Sequence, residues 1–417
     1  MSMIRILHIC YSDLDGGAAR AAFRLHQALR SQGLDSQMLV INKYSDDPFV
    51  HTVSGLRQLR IKLAASLSRL FLRWQKSPNS VHHSLNLFPS GLLGEIERWA
   101  PDVVNLHWLG GEMLSVEEIG RIKARVVWTL HDMWAFNGCE HYDDERPSER
   151  YRAGYKAESR HPLHKGLDLD RWNCRRKQKA WAGKQFHIVS PSKWLAECAR
   201  QSVLFAEQPI HVISNCIDHD LYRPLSREFA REALGLPKDK QLLLFGAMSS
   251  TSDPRKGYHL LLPALQQLKE QGKAERIELV VFGASRGDAE HVTGIKTHYM
   301  GRLHDDISLC LLYNAADLFV APSLQDNLPN TLVESLACGT PCVAFNIGGM
   351  TDLIPQALFG ECCNNIHESD LANAISSQLE KIDLNSKSEI HNASYLTRSF
   401  GPIVEKYSEI YDSSRVR

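Results

Sequence analysis

Short unbroken runs of β-branched and aliphatic residues, each about a strand long, recur along this 417-residue chain and restrict its fold more than any other feature. In the first half they stand at 4–10 (IRILHIC), 37–41 (QMLVI), 103–107 (VVNLH), 126–130 (VVWTL), 186–190 (FHIVS) and 210–214 (IHVIS). The second half restarts the series at 241–247 (QLLLFGA), 277–283 (IELVVFG), 317–321 (DLFVA) and 341–345 (PCVAF). Strands buried on both faces read as continuous apolar runs, and helical-period segments lie between several of these. A polar piece from Asn215, "NCIDHDLYRPLSRE", carries Pro224 and suits a linker near 215–226. The length exceeds one core and favours two domains. The expectation is therefore α/β, with two doubly wound Rossmann-like domains at 1–215 and 216–399 and a helix at about 400–417 packing back on the first. The architecture repeats; the sequence does not.

Charge and composition exclude several classes. Lys plus Arg and Asp plus Glu balance at 48 each, and no arginine-rich tail or basic-aromatic interleaving points to nucleic acid. The ten cysteines include no Cys-x2-Cys pair, which reads as reduced thiols rather than a disulfide framework. "MSMIRILHICYS" runs straight into a strand without signal-peptide anatomy, and no run approaches the roughly 20 apolar residues that span a bilayer. A cytoplasmic protein is expected.

Parallel sheets carry functional loops at the carboxyl ends of their strands. Those ends hold Asp13, Asp15, Gly16 and Gly17, then His107-Trp108, His131-Asp132, Ser190 to Ser192 and Asn215, and in the second half Gly246, Gly283, Ser323 and the loop at Asp326. Domains facing one another would line a single central cleft with them, a site for a large bipartite ligand. Within "QDNLPNTLVESLACGTPC", from Gln325, residues 330–338 suit a helix with Asn330 as N-cap and Gly339 as the stop. Its start would favour an anion such as diphosphate, and Glu334, one turn in, could accept two hydrogen bonds from a vicinal diol. Taken singly, Asp326 also reads as a turn acid and Glu334 as a solvated helix acid. Arg255 and Lys256, on a loop after a strand, could neutralise a diphosphate, or form an ordinary charged turn. No Walker loop is present, and Ala18, Ala19 and Arg20 after Gly16-Gly17 break the dinucleotide fingerprint.

Read in order, the Gly16-Gly17 loop, "VVNLHW", "VVWTLHDMWAF", "SPSKWLAECA", "VISNCIDHDLYRP", "DPRKG", "YNAADLFVAPS" and "DNLPNTLVESLACGTPCVAF" resemble the family 4 glycosyltransferases, over nearly the whole length. The resemblance implies the GT-B fold, a nucleotide-sugar donor (UDP- or GDP-linked), and a glycan or lipid-linked acceptor in surface polysaccharide synthesis. It also implies transfer with retention. Asp326 and Glu334 match the ends of the family's Glu-x7-Glu motif, with aspartate in the first place. By that match Glu334 holds the ribose, Asp326 faces the transferred sugar, and Asn327, Leu328, Pro329 and Asn330 shape the loop whose N–H groups meet sugar and phosphate. Lys256 matches the phosphate-binding lysine. Ala247 stands where the family often has arginine, and Arg255 would supply that charge. Gly16 and Gly17 would let the first loop approach phosphates and acceptor, and His131 matches a histidine near the transferred sugar. No covalent nucleophile is assigned.

No cofactor and no metal are expected, because His107, His131, Asp132, Cys139 and His141 lack metal-ligand spacing. Relatives often carry a cysteine cluster after the His-Asp pair; here Cys139 remains, with Ser148, Tyr155 and Glu158 where others would stand. Two other functions fit the same architecture: a nucleotide-sugar 2-epimerase, and a sugar-nucleotide-binding protein without catalysis. Segment 55–77, "GLRQLRIKLAASLSRLFLRWQKS", holds six basic residues, no acid, and Leu59, Leu63, Leu67, Leu70 and Trp74 at helical spacing. It suits either a helix packed on its own domain or a contact with an anionic membrane surface.

Overall fold

The computed structural model describes residues 4–143, 149–246, 253–285, 287, 289–303, 305–381 and 387–412. The chain divides into two compact units, Met1–Ser214 with Ile403–Arg417, and Asn215–Pro402. In the first, a seven-stranded parallel sheet uses Arg5–Ser12, Asp35–Asn42, Val50–Thr52, Val103–Leu106, Arg125–Thr129, Phe186–Ser190 and Ile210–Val212. Counted along the chain, their order across the sheet is 3-2-1-4-5-6-7. The second unit uses Gln241–Gly246, Ile277–Phe282, Thr297–Tyr299, Leu318–Ala321, Cys342–Phe345 and Gly360–Cys363 in the order 3-2-1-4-5-6. This is the dinucleotide-fold order, in which the chain reverses direction between strands one and four and opens a crevice at their carboxyl ends.

The apolar runs are buried as their composition requires: Val103, Val104 and Leu106 in one sheet and Leu242, Leu243 and Leu244 in the other are wholly enclosed. Three short edge strands, Val50–Thr52, Thr297–Tyr299 and Gly360–Cys363, lack such runs, and periodicity alone does not mark them. The polar piece after Asn215 is not a loose linker. Ile217 and Tyr222 are fully buried in the second core, and the Asn314 side chain accepts from Leu225 N–H at 2.8 Å and donates to the Arg223 carbonyl at 3.0 Å.

The helix Phe400–Asp412 places Ile403, Val404, Tyr407, Ile410 and Tyr411 in the interior. Tyr411 Oη accepts from the Asn105 amide at 2.8 Å, and Tyr407 Oη lies 3.1 Å from Thr129 Oγ1. Those hydrogen bonds bind the chain's end to strands four and five of the first sheet. Helix Gly55–Leu72 behaves oppositely. It buries only Ile61 and Ser68, while Leu56, Leu59, Leu63, Leu67 and Leu70 are 50–85% exposed, so the leucine stripe does not pack on its own domain.

Candidate functional site

In the second unit the crevice position is occupied by charge. Beyond strand Gln241–Gly246 the chain reaches a short turn, Pro254–Lys256, which Asp253 caps by accepting the Arg255 N–H at 3.0 Å. Gly257 follows in the left-handed region, where a Cβ would stand 1.7 Å from the Pro322 carbonyl oxygen. Only glycine permits that crossing, and it sets the turn directly against the end of strand Leu318–Ala321. The Leu324 N–H then donates to the Arg255 carbonyl at 2.7 Å. Out of this junction Lys256 Nζ reaches Asp326 Oδ2 at 2.6 Å, with both side chains part-exposed. Gly348, at φ 52°, passes so close that a Cβ would lie 2.0 Å from the Asp326 carbonyl, and it packs the next loop onto the acid's backbone.

The helix after Asp326 spans Asn330–Ala337, with Pro329 at the N-cap, so Asn330 is the first helical residue and not the cap. Its side chain carbonyl accepts from the Asn215 amide at 3.0 Å instead. Gly339 terminates it as expected: its N–H meets Leu336 O at 3.0 Å, and Thr340 N–H meets Ser335 O at 2.9 Å, the paired bonds of a Schellman stop. Leu328 belongs to the second core and Asn327 is buried. Glu334 is 3% exposed, which rules out a solvated helix acid. The buried Tyr313 hydroxyl donates to Glu334 Oε2 at 2.8 Å, and burial followed by that carboxylate pushes the phenol well up. A buried carboxylate held by a strong donor is a rigid acceptor.

Arg255 and Lys256 are neighbours with different partners. The Arg255 guanidinium bonds Asp253 at 2.8 Å on its own turn. Burial would raise the Asp253 carboxyl, but the Arg255 hydrogen bond and charge outweigh it and hold it below the usual range. Ala247 lies outside the described residues.

The first unit presents another chemistry at the same topological position. Gly16 (φ 104°) precedes helix Gly17–Ser31. Asp13 is fully buried and accepts from Tyr44 and Ser45 N–H groups at 2.9 Å each, so it holds a neighbouring loop. Beyond strands four and five, His107 and His131 stand ring to ring, Nδ1 to Nε2 at 3.0 Å, and line a small pocket with Trp108, Asp132, Trp134 and His141. Burial pulls the His131 imidazole down to about 4, with Asp132 only partly opposing. Burial alone would raise Asp132; the His141 ring, 2.6 Å away, and the Trp134 N–H at 2.9 Å outweigh that and keep it ionised. His141 Nε2 in turn lies 2.9 Å from Ser84 Oγ, but Ser84 is buried, so this acid–imidazole–hydroxyl chain anchors segment 82–84 and has no exposed nucleophile.

The described residues of 139–170 are tied by hydrogen bonds. Tyr155, fully buried, bonds Glu140 and accepts from the Gly138 N–H at 2.8 Å; Asp170 accepts from Gln75 at 2.6 Å. Burial, and then Asp170, drives the Glu140 carboxyl well up, so Glu140 holds the proton and Asp170 the charge. Cys139 packs beside them, Glu158 is exposed, and Ser148 lies outside the described residues. Among the described residues no three His, Cys, Asp or Glu side chains gather as a metal site.

Comparison with known proteins follows the same two-part division. Residues 15–221 match the family model described as Glycosyltransferase Family 4, and residues 239–381 match that described as glycosyl transferases group 1. D-inositol 3-phosphate glycosyltransferase 2 of Catenulispora acidiphila is 28% identical over 190 residues, covering 41% of this chain and 42% of that protein. The D-inositol 3-phosphate glycosyltransferase of Mycolicibacterium smegmatis is 28% identical over 183 residues, covering 41% and 40%. The match thus spans less than half the length of these curated relatives. Among solved structures, Anabaena HepE in complex with UDP and glucose superposes with a TM-score of 0.66 at 17% identity, covering 98% of this chain and all of that one. WaaG, a glycosyltransferase involved in lipopolysaccharide biosynthesis, gives 0.62 at 16% identity over 97% and 99%. At such identities the likeness is one of fold, and that fold is GT-B.

Proposed function

The chain belongs to glycosyltransferase family 4, and on that premise we propose that it moves a sugar from a nucleotide donor to a glycan or lipid-linked acceptor, with retention and without a metal. The observation that carries this reading is the Lys256–Asp326 pair at the crevice of the second sheet, one loop before the buried Glu334. Breaking an anomeric C–O bond leaves negative charge on diphosphate. Lys256 and the N–H groups starting helix Asn330–Ala337 are placed to receive it, and the diphosphate would displace Asp326 from the ammonium. Asp326, so released, would turn to the sugar, while Glu334 accepts from the ribose diol. Retention would follow if the acceptor attacked from the leaving group's face and the departing phosphate took its proton. Arg255, already neutralised by Asp253, is the lesser cation. HepE was crystallised with UDP, which makes UDP the first nucleotide to test.

UDP at a hundred times its Kd should stabilise the protein by about 2.7 kcal/mol, read as a thermal shift, and Glu334→Ala should remove it. An undiminished shift in that variant would end the assignment of Glu334 to the donor.

We further propose a peripheral place on the cytoplasmic face of a membrane, consistent with a lipid-linked acceptor. Helix Gly55–Leu72 carries exposed leucines beside Arg60, Lys62 and Arg69. Each basic residue near an anionic surface contributes about 1 kcal/mol. Neutralising Arg60, Arg69 and Arg73 should therefore weaken binding to vesicles containing phosphatidylserine by about two orders of magnitude. Binding unchanged by that triple variant, or equal on neutral vesicles, would remove the membrane from this reading. Among the described residues no helix is long and apolar enough to cross a membrane.

A further inference from the structure

Three histidines from different parts of the sequence form one hydrogen-bonded column in the first unit. His8 lies within strand Arg5–Ser12, paired with Asn105 on the neighbouring strand, and is fully buried. Its Nδ1 is 2.9 Å from His107 Nε2, and His107 Nδ1 is 3.0 Å from His131 Nε2. Adjacent ring centroids lie 5.2 and 5.3 Å apart, with the ring planes inclined by 27° and 28°. The outer ring, His131, lines the pocket; the inner ring ends the column in the core, where His8 Nε2 is buried without a hydrogen-bond partner.

A neutral imidazole has one N–H and one lone pair, and each ring-to-ring contact needs one of each. The three protons are therefore correlated. Either every ring carries its proton on Nδ1, or every ring carries it on Nε2. The second arrangement leaves His8 with an orphaned N–H in the core; the first leaves only a lone pair there. An orphaned buried donor is the rarer defect.

We propose that His8 and His107 are positioning residues that hold His131 neutral with its proton on Nδ1, so that the ring offers the pocket a hydrogen-bond donor and not a base. The electrostatics agree: burial holds His8 and His107 far below the usual histidine range and His131 at about 4, so all three stay neutral at pH 7. This rests on the transferase reading only for what meets that N–H, an acceptor oxygen on the donor's sugar. The tautomer belongs to the protein alone.

The test is a long-range 1H–15N spectrum of the 15N-histidine-labelled full chain at pH 7 without ligand, the His131 ring assigned by its disappearance in His131→Gln. Expected are a pyrrole-type Nδ1 and a pyridine-type Nε2 for His131, with the same pattern for His8 and His107. In His107→Phe, the two His131 nitrogens should move toward a common averaged shift and titrate at higher pH. An Nε2–H or doubly protonated His131 in the wild type overturns the proposal, as does an unaltered His131 spectrum in folded His107→Phe. If that variant does not fold, the wild-type spectrum decides alone. Loss of the transferase reading through absent turnover would leave this spectrum unchanged, so the two failures are distinguishable.

Discussion

The two units share the strand order 3-2-1-4-5-6, and each puts polar residues beyond its fourth strand, yet the chemistry there is opposite. The first unit sets the neutral imidazoles of His107 and His131 at a pocket that the ionised Asp132 also lines. The second gathers a lysine, two acids and a helix start, with Lys256 and Asp326 in contact. Topology therefore decides where a crevice opens, and side chains decide what it can hold. A neutral donor set suits hydroxyls; a cation beside a helix N-terminus suits an anion.

That contrast can be broken by acid. Native His26, His82 and His131 remain neutral down to about pH 4, and His8 and His107 further, while the unfolded chain protonates each near its ordinary value. Between about pH 6.5 and 4 the unfolded state binds more protons. Stability should fall with falling pH, by on the order of 1.4 kcal/mol per pH unit for each such ring. Hydrogen exchange should show the first unit opening before the second, where His219 is alone among the second unit's described residues in being held near pH 4. Earlier opening of the second unit would count against the contrast.

Kinetics sharpen it next. Lys256→Ala should lower kcat/KM by about 10²–10³, the usual cost of losing a donor to a developing oxyanion, and abolish UDP binding. His131→Ala should slow turnover while leaving UDP affinity near the wild-type value. An equal loss of UDP affinity in both variants would merge two roles kept apart above. Gly257→Ala tests the scaffold. The left-handed φ and the 1.7 Å approach to Pro322 predict about 1–3 kcal/mol of destabilisation, seen in chemical denaturation of the second unit. Arg255→Ala should have the smallest effect, a few-fold in turnover, because its Asp253 pair is local and part-exposed. A loss as large as that of Lys256→Ala would reverse the ranking of the two cations.

Lys256, Asp326 and Glu334 were legible because each lies on a loop or short helix bounded by local signals: Pro254, Gly257, Pro329 and Gly339. Tyr313 was not, since its only claim on the site is a hydrogen bond from a helix 21 residues away. His8 was hidden likewise, a polar residue inside an apolar strand whose partner stands 99 residues on. The mark it left was a histidine interrupting "IRILHIC". Asn330 was misplaced by one residue: the helix takes it as its first residue, with Pro329 in extended backbone at the N-cap and no side-chain cap hydrogen bond, and boundaries of this kind are the least legible part of a helix.

Sequence by itself determined the two parallel sheets and the stops and turns of the loop at Asp326, because apolar runs and glycine or proline backbone limits act over a few residues. Tertiary structure alone decided that Glu334 is buried against a phenol, that Lys256 meets Asp326 and not Asp253, and that three imidazoles share one line of protons. Those outcomes depend on which side chains the folded sheet brings within about 3 Å. Distances that short between residues far apart in the chain exist only once the strand order is complete.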